Sequence, residues 1–348
     1  MKRNSFNKAV ALGLGAGFFN SFSTIAESNI SLNEKKKIKP KKLEKGSTIG
    51  LITPASPISE EKFNKAIQNL EKLGFNYKTG NHIFDNYGYL AGNDKDRVDD
   101  LNTMFSDPEI DAIWCIRGGY GTTRIIDALD YNLIKRNPKI FIGFSDITAI
   151  HLAIMKKTGL ITFHGPVAAS EFTDYTSKCF VDLFLNDEKT IENYIPQLDF
   201  ESELYKPKVL VSGKMEGRLV GGNLTLLASL AGTPFQINPE NNIVFIEDID
   251  EKPYRVDRML TQLLNTTNLS KASGILLGVF EGCEAKEEDK NSLKILETLT
   301  DRLGNLGIPV FYGFSFGHID NNCTLPVGCK ASFDTETQKL IIEERIFK

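Results

Sequence analysis

Along the first half of the chain, short apolar runs alternate with segments of 3.6-residue periodicity, the pattern of strands and helices taken in turn. Ser47–Thr53 reads as a strand halted by the Pro54-Ala-Ser-Pro57 turn. Ser59 then caps a helix whose apolar residues Phe63, Ala66, Ile67, Leu70 and Leu73 share one face, and Gly74 ends it. Residues 75–79 give a second strand. A helix over 96–105, with Val98, Leu101, Met104 and Phe105 inward, stops at Asp107-Pro108. Ala112–Ile116 is apolar on both faces, as a central parallel strand is. Ile140–Ile142 is another buried strand, turning at Gly143 into an amphipathic helix with Ile147, Ile150, Ile154 and Met155 on its apolar face. Leu160–Phe163 adds a strand before His164-Gly-Pro166. The expectation is an α/β fold, with an N-terminal open parallel-sheet domain of Rossmann or flavodoxin-like type over 46–168.

The pattern loosens over 169–208, which reads as an inter-domain connection. A smaller, β-rich C-terminal domain is expected over 209–348. Gly217–Asn223 is a strand and turn opening a helix over 224–230, and Ile243–Ile246 is a buried strand followed by a helix over 253–264. A strand over 274–280, a helix over 293–303 and a strand over 308–312 follow, and 324–328, 331–333 and 339–342 read as closing strands.

With 348 residues, 41% hydrophobic and 25% charged, the chain has room for two cores. A net charge of -4 argues against a general nucleic-acid binder. Five scattered cysteines form no Cys-x-x-Cys pair and suggest no zinc site, although Cys323 and Cys329 are close enough in sequence to bridge in an oxidising compartment. Lys2, Arg3 and Lys8 precede an apolar run from Ala9 to Phe19 and a polar, small-residue stretch from Ser21 to Ala26. That is the form of an export signal over 1–26, cleaved after Ala26 and followed by a linker over 27–45, and the run is too short to span a membrane comfortably. The expected location is periplasmic. A cytoplasmic protein with a disordered or amphipathic tail is the alternative.

Four features carry candidate chemistry. Ser145 sits where strand becomes helix, so its hydroxyl is lifted out of the sheet beside the first unpaired N–H groups of the helix. The bland reading is a helix N-cap, and Ile147 stands where a hydrolase elbow has its second glycine. Arg117-Gly-Gly-Tyr-Gly121 lies at the carboxyl end of a strand, where backbone N–H groups can face an anion. It lacks the spacing of dinucleotide and phosphate loops. Glu247-Asp-Ile-Asp-Glu251 places acids after a buried strand. A solvated loop is the favoured reading, with Asp250 or Glu251 capping the next helix. His318, in a glycine-flanked polar turn, is a base candidate near neutral pH, with His164 its rival. Cys115 and Trp114, the only tryptophan, fall in the core strand.

Taken together, Ile116-Arg117-Gly-Gly-Tyr-Gly121, Pro138-Lys-Ile-Phe-Ile-Gly-Phe-Ser145-Asp-Ile-Thr-Ala149, Phe163-His-Gly-Pro166, Gly221-Gly-Asn-Leu224, Phe245-Ile-Glu247-Asp248 and Gly317-His318 resemble the LD-carboxypeptidase family of murein tetrapeptide carboxypeptidases. The resemblance runs in order from about Gly46 to Phe333. It implies a serine peptidase with Ser145 as nucleophile, His318 as general base and Glu247 as its orienting carboxylate. The backbone N–H of Asp146 and of Gly118 or Gly119 would then meet the oxyanion, and Arg117, Arg124 or the glycine-loop amides the substrate carboxylate. It calls for no metal and no organic cofactor. The implied partner is a peptidoglycan stem peptide that loses its terminal D-alanine. No nucleic-acid partner and no stable membrane insertion after signal removal are implied, and the resemblance is compatible with a homodimer. Two alternatives stay open: a microcin-immunity type of amide hydrolase acting on peptidyl-nucleotides, and a non-catalytic exported peptide-binding protein.

Overall fold

The computed structural model describes residues 37–194, 203–286 and 291–348, so the export signal falls outside the described residues. Fourteen strands are present among them: β1 Thr48–Ile52, β2 Asn76–Thr79, β3 Ala112–Cys115, β4 Ile140–Gly143, β5 Thr162–His164, β6 Thr190–Glu192 and β7 Lys208–Val211. They continue with β8 Lys214–Asn223, β9 Ile243–Ile249, β10 Gly274–Glu281, β11 Val310–Tyr312, β12 Leu325–Val327, β13 Lys330–Asp334 and β14 Lys339–Ile342.

The first sheet has the order β12-β5-β4-β3-β1-β2. Its β1 to β5 are parallel and run 2-1-3-4-5, the flavodoxin-like order. The order reverses between β1 and β3, so the Pro54–Pro57 turn and the Arg117–Gly121 loop flank the crevice where such sheets bind ligands. All four residues of β3 and of β4 are buried, as strands covered on both faces must be. Ser59 and Gly74 cap the first helix, Glu60–Leu73, as the sequence predicts: Ser59 accepts from the Lys62 N–H and Gly74 adopts the left-handed conformation.

The second sheet has the order β6-β14-β13-β8-β9-β10-β11-β7. Its middle, β8 to β11, is also parallel. Two segments cross the division expected near residue 208. β6 joins the second sheet from the expected connection, and β12 pairs antiparallel with β5 at the edge of the first. Pro326 has no N–H to give a further neighbour, which suits an edge strand.

The helix after Ser145, Thr148–Thr158, differs from the amphipathic reading. Every residue from Thr148 to Ile154 is buried. The reason is that its outward face packs on the second sheet and the helix Leu224–Ser229: Ile147 and Ile150 share one hydrophobic cluster with Val220, Leu224, Leu227 and Val244. At this seam the Asn223 N–H donates to Thr148 Oγ1 at 3.0 Å. Gly222 keeps the strand close, at φ +142°; a Cβ there would lie 2.5 Å from both Thr148 Oγ1 and Cγ2. Residues Lys37–Lys348 accordingly form one compact unit. All five cysteines are free thiols, Cys323 and Cys329 included.

Gly222→Ala should therefore lower unfolding stability by about 1–3 kcal/mol through overpacking at the seam, measured by denaturant titration. An unchanged midpoint and slope would show that the seam is slack.

Candidate active site

Ser145 stands two residues past the end of β4 and has φ +62°, an uncommon conformation for a residue with a Cβ. Such backbone costs on the order of 1–3 kcal/mol and persists only where the surroundings fix it. Ser145 is no helix cap. It opens a 3₁₀ turn, Ser145–Ile147, and no side-chain capping bond is made at the start of that turn or of the following helix. Ile147 turns into the core and is fully buried. Gly143 supplies its room, since a Cβ at 143 would sit 2.9 Å from Ile147 Cγ2.

The glycine loop lies against the serine. A Cβ on Gly118 would be 3.2 Å from Ser145 Cβ and 3.4 Å from its Oγ. The loop is tied from two sides. Ser56 Oγ accepts from the Tyr120 N–H at 3.1 Å, and the Ser56 N–H donates to Gly118 O at 3.3 Å. Asp146, buried, accepts from the Thr122 N–H at 2.9 Å, while Thr122 Oγ1 donates to the Asp146 carbonyl. Burial raises the Asp146 pKa, and these bonds from Thr122 partly offset the rise. The N–H groups of Gly118, Gly119 and Asp146 make no backbone hydrogen bond among the described turns and loops. Arg117 is half-buried and donates to the Pro57 carbonyl at 2.8 Å, so it braces the Pro54–Pro57 turn. Arg124 is engaged by Asp94 through two bonds of 2.9 and 2.8 Å.

On the second sheet, Glu247 and Asp248 correct the solvated-loop reading. Both lie in β9 and are buried, Glu247 at 0% exposure. The helix Pro253–Thr266 is capped at Lys252, so neither Asp250 nor Glu251 takes that position. Glu247 Oε2 is 2.6 Å from His318 Nδ1. This bond assigns the proton to Nδ1 and leaves Nε2 as the free nitrogen. Burial pulls the His318 pKa down, but the Glu247 charge and hydrogen bond, with Asp248 and Asp250 behind them, leave it raised above 6.5. Asp248 points elsewhere: it accepts from Asn223 Nδ2 at 2.9 Å and from the Thr225 N–H at 3.0 Å, tying β9 to the helix Leu224–Ser229. Burial first and the Glu247 charge second push its pKa up to about 6.

The two halves meet at Phe144, whose ring centroid is 4.8 Å from that of His318. The residue preceding Ser145 thus packs on the imidazole. A cavity of about 350 Å³ opens beside His318, lined by Tyr194, Tyr205, Glu281, Ser315 and Asp320 among others. His164, the rival base, is fully buried and its pKa is driven well below 6.5 by burial, so it is no solvent-accessible base. Trp114 is core, stacked on Phe180 and donating to the Pro166 carbonyl. Burial raises the Cys115 thiol well above its usual range, which removes it as a nucleophile. The roles of Ser56, Thr122, Phe144 and Asp248 are absent from the sequence reading.

Comparison with known proteins finds relatives over most of the chain. Residues 49–165 match the LD-carboxypeptidase N-terminal domain and residues 216–333 its C-terminal domain. The chain is 43% identical to a probable murein peptide carboxypeptidase of Bacillus subtilis, over 88% of this chain and 94% of that protein. It is 31% identical to the microcin C7 self-immunity protein of Escherichia coli, over 86% and 94%. The crystal structure of a muramoyltetrapeptide carboxypeptidase from Oxalobacter formigenes superposes with a TM-score of 0.73 at 30% identity, covering 84% of this chain and 97% of the other.

Glu247→Gln removes the charge that raises the His318 pKa and leaves the burial that lowers it. The imidazole should titrate above 6.5 in the native protein and clearly lower in the variant, read from the Cε1–H shift by NMR. Equal titration points would mean that Glu247 does not govern the ring.

Proposed function

This chain belongs to the LD-carboxypeptidase family, and from that premise we propose that it is a serine peptidase releasing the terminal D-alanine from murein tetrapeptide stems, with Ser145, His318 and Glu247 as its catalytic set. The observation that carries the assignment of residues is the 2.6 Å bond from His318 to a fully buried Glu247, on a ring that packs against the neighbour of a strained Ser145. With Nδ1 held by Glu247, Nε2 of His318 takes the Ser145 proton as Oγ attacks the amide carbonyl. The imidazolium that forms lies beside a carboxylate, which offsets its burial. His318 then returns the proton to the leaving amine, and water resolves the acyl-enzyme by the same route.

The oxyanion that develops in attack needs fixed donors. The N–H of Asp146 and of Gly118 or Gly119 belong to the two segments that meet at Ser145, and Ser56 and Thr122 hold those segments still. Loss of one such donor typically costs about 10²- to 10³-fold in rate. Arg117 keeps further donors beyond the one spent on Pro57, and these suit the substrate carboxylate.

A second reading, hydrolysis of a peptidyl-nucleotide, is favoured by one observation: Tyr89 and Tyr120 are exposed, with rings 5.5 Å apart, beside the glycine loop. Aromatic faces of this kind can stack on a base. We further propose that the chain acts after export, on the basis of the basic, apolar and small-residue order of its first 26 residues.

Ser145→Ala should abolish D-alanine release from a murein tetrapeptide, by roughly 10⁴- to 10⁶-fold, with unchanged circular dichroism. Mass spectrometry of the products reads both arms; retained turnover would remove Ser145 as nucleophile, and turnover of a peptidyl-nucleotide alone would favour the second reading. For export, N-terminal sequencing of the mature protein from a secreting host should begin at Glu27. An intact Met1 on the folded protein would place it inside the cell.

A further inference from the structure

His164 lies at the end of β5, fully buried, its backbone in register with Gly143. Its ring centroid is 6.1 Å from Phe144, 5.2 Å from Phe245 and 6.2 Å from Phe316. Phe144 immediately precedes Ser145, while Phe245 and Phe316 stand two positions before Glu247 and His318. A single side chain therefore touches a near neighbour of each member of the proposed triad, across both sheets. Phe144 carries the contact onward to the His318 ring itself.

The surroundings are largely aromatic, and a phenylalanine at 164 would suit them in shape. The imidazole does not suit them in polarity. Among the described residues neither ring nitrogen has a hydrogen-bond partner. Nor is His164 isolated in this. Of the eleven buried, unpartnered side-chain polar atoms among the described residues, six belong to His164 itself or to residues around it: His151, Thr162, Glu247 and Thr324 supply the others. His151 packs on the ring at 6.3 Å, Thr162 shares its strand, Glu247 follows Phe245, and Thr324 closes on Gly165. Unpartnered polar atoms destabilise a core, and such a group in a native fold calls for a reason beyond packing.

We infer that His164 is a positioning residue for the triad: its ring holds Phe144, Phe245 and Phe316 in register, and through Phe144 it sets the surroundings of the His318 ring. The inference rests on the triad reading given above. Burial keeps His164 neutral at working pH, so the cation formed during attack resides on His318, facing Glu247. On the elements packed around His164, the helix Thr148–Thr158 carries His151, Lys156 and Lys157, β9 carries Glu247 and Asp248, and His318 follows β11; the charges that act on His164 are those of His151 and His318, and β12 brings only Leu325, Pro326 and Val327. His164 itself transfers no proton. It acts through the placement and surroundings of the ring that does.

The test uses the full chain and the murein tetrapeptide, with two variants. His164→Phe retains a ring and removes both bare nitrogens, so it should melt no lower than the native protein. Its kcat should fall about tenfold with KM changed less than about twofold, because the loss falls on the transition state. The midpoint of the His318 limb in kcat/KM against pH should move by about half a unit or more. His164→Ala, which loses the ring contacts as well, should lose about a hundredfold in kcat. A His164→Phe enzyme with native kcat and native pH midpoint would reduce His164 to packing and overturn the inference, as would a variant whose melting temperature falls along with its rate. Should the native protein prove inactive on the tetrapeptide, the proposed function fails first. The NMR titration of His318 in native and His164→Phe protein then decides this point separately, and an unchanged His318 midpoint would overturn it.

Discussion

The arrangement depends on a carboxylate with no access to water. Burying an ionised group carries a cost of several kcal/mol unless a partner of opposite charge or good donors meet it. Glu247 has one such partner, His318 Nδ1, and its second oxygen has none among the described residues. The pair is consequently reciprocal. The carboxylate raises the affinity of the ring for a proton against the effect of burial, and the ring gives the carboxylate the one strong bond it has. The fully buried Glu247 depends on the ring more than the partly exposed ring depends on it, which is why the geometry of this pair constrains what is placed around it.

What brings a serine to that pair is a seam between two sheets. The helix that begins just after Ser145 is buried on its far side by the second sheet, and the Asn223 N–H to Thr148 Oγ1 bond fixes the approach. Asn223 serves twice, since its side chain also donates to Asp248, the residue after Glu247. One turn on the second sheet thereby fixes the position of both the helix after Ser145 and the strand that carries Glu247. Asp248 stays within the polar network and its raised pKa follows from being buried next to another carboxylate.

How much of this is legible in the sequence depends on how local the cause is. The helix Glu60–Leu73 shows its cap, its face and its stop within sixteen residues, and all three are as read. The parallel order of the first sheet follows from alternation of strand and helix. Ser145 at a strand-to-helix junction is visible from the apolar run before it. Glu247 is different. Its burial comes from β8 on one side and β10 on the other, residues 214–223 and 274–281, so the acidic string alone resembles a solvated loop. The same holds for β12, whose partner β5 lies far back in the chain, and for Arg117, whose acceptor on Pro57 belongs to another loop. The motif resemblance reached Glu247 where periodicity had not.

Both halves of the site obey one rule of parallel sheets, that functional groups gather at the carboxyl ends of the strands. In the first sheet β1, β3 and β4 end in the Ser56 turn, the glycine loop and Ser145. In the second, β9 carries Glu247 two residues before its end, β10 ends in Glu281, and β11 leads to the turn that carries His318. The second sheet is thus more than a β-rich accessory: its parallel centre repeats the design of the first, and the turn after β11 sets His318 against Phe144. That placement explains why Glu247 lies within a central strand. An acid at the tip of a loop would be free to swing with solvent, whereas one in the last turn of a strand flanked on both sides is held by ladder bonds. Fixed orientation matters to the base proposed above, because the tautomer of His318 is set by where its carboxylate stands. The cost is an element of the core that is polar and only partly satisfied, since the second oxygen of Glu247 has no partner among the described residues.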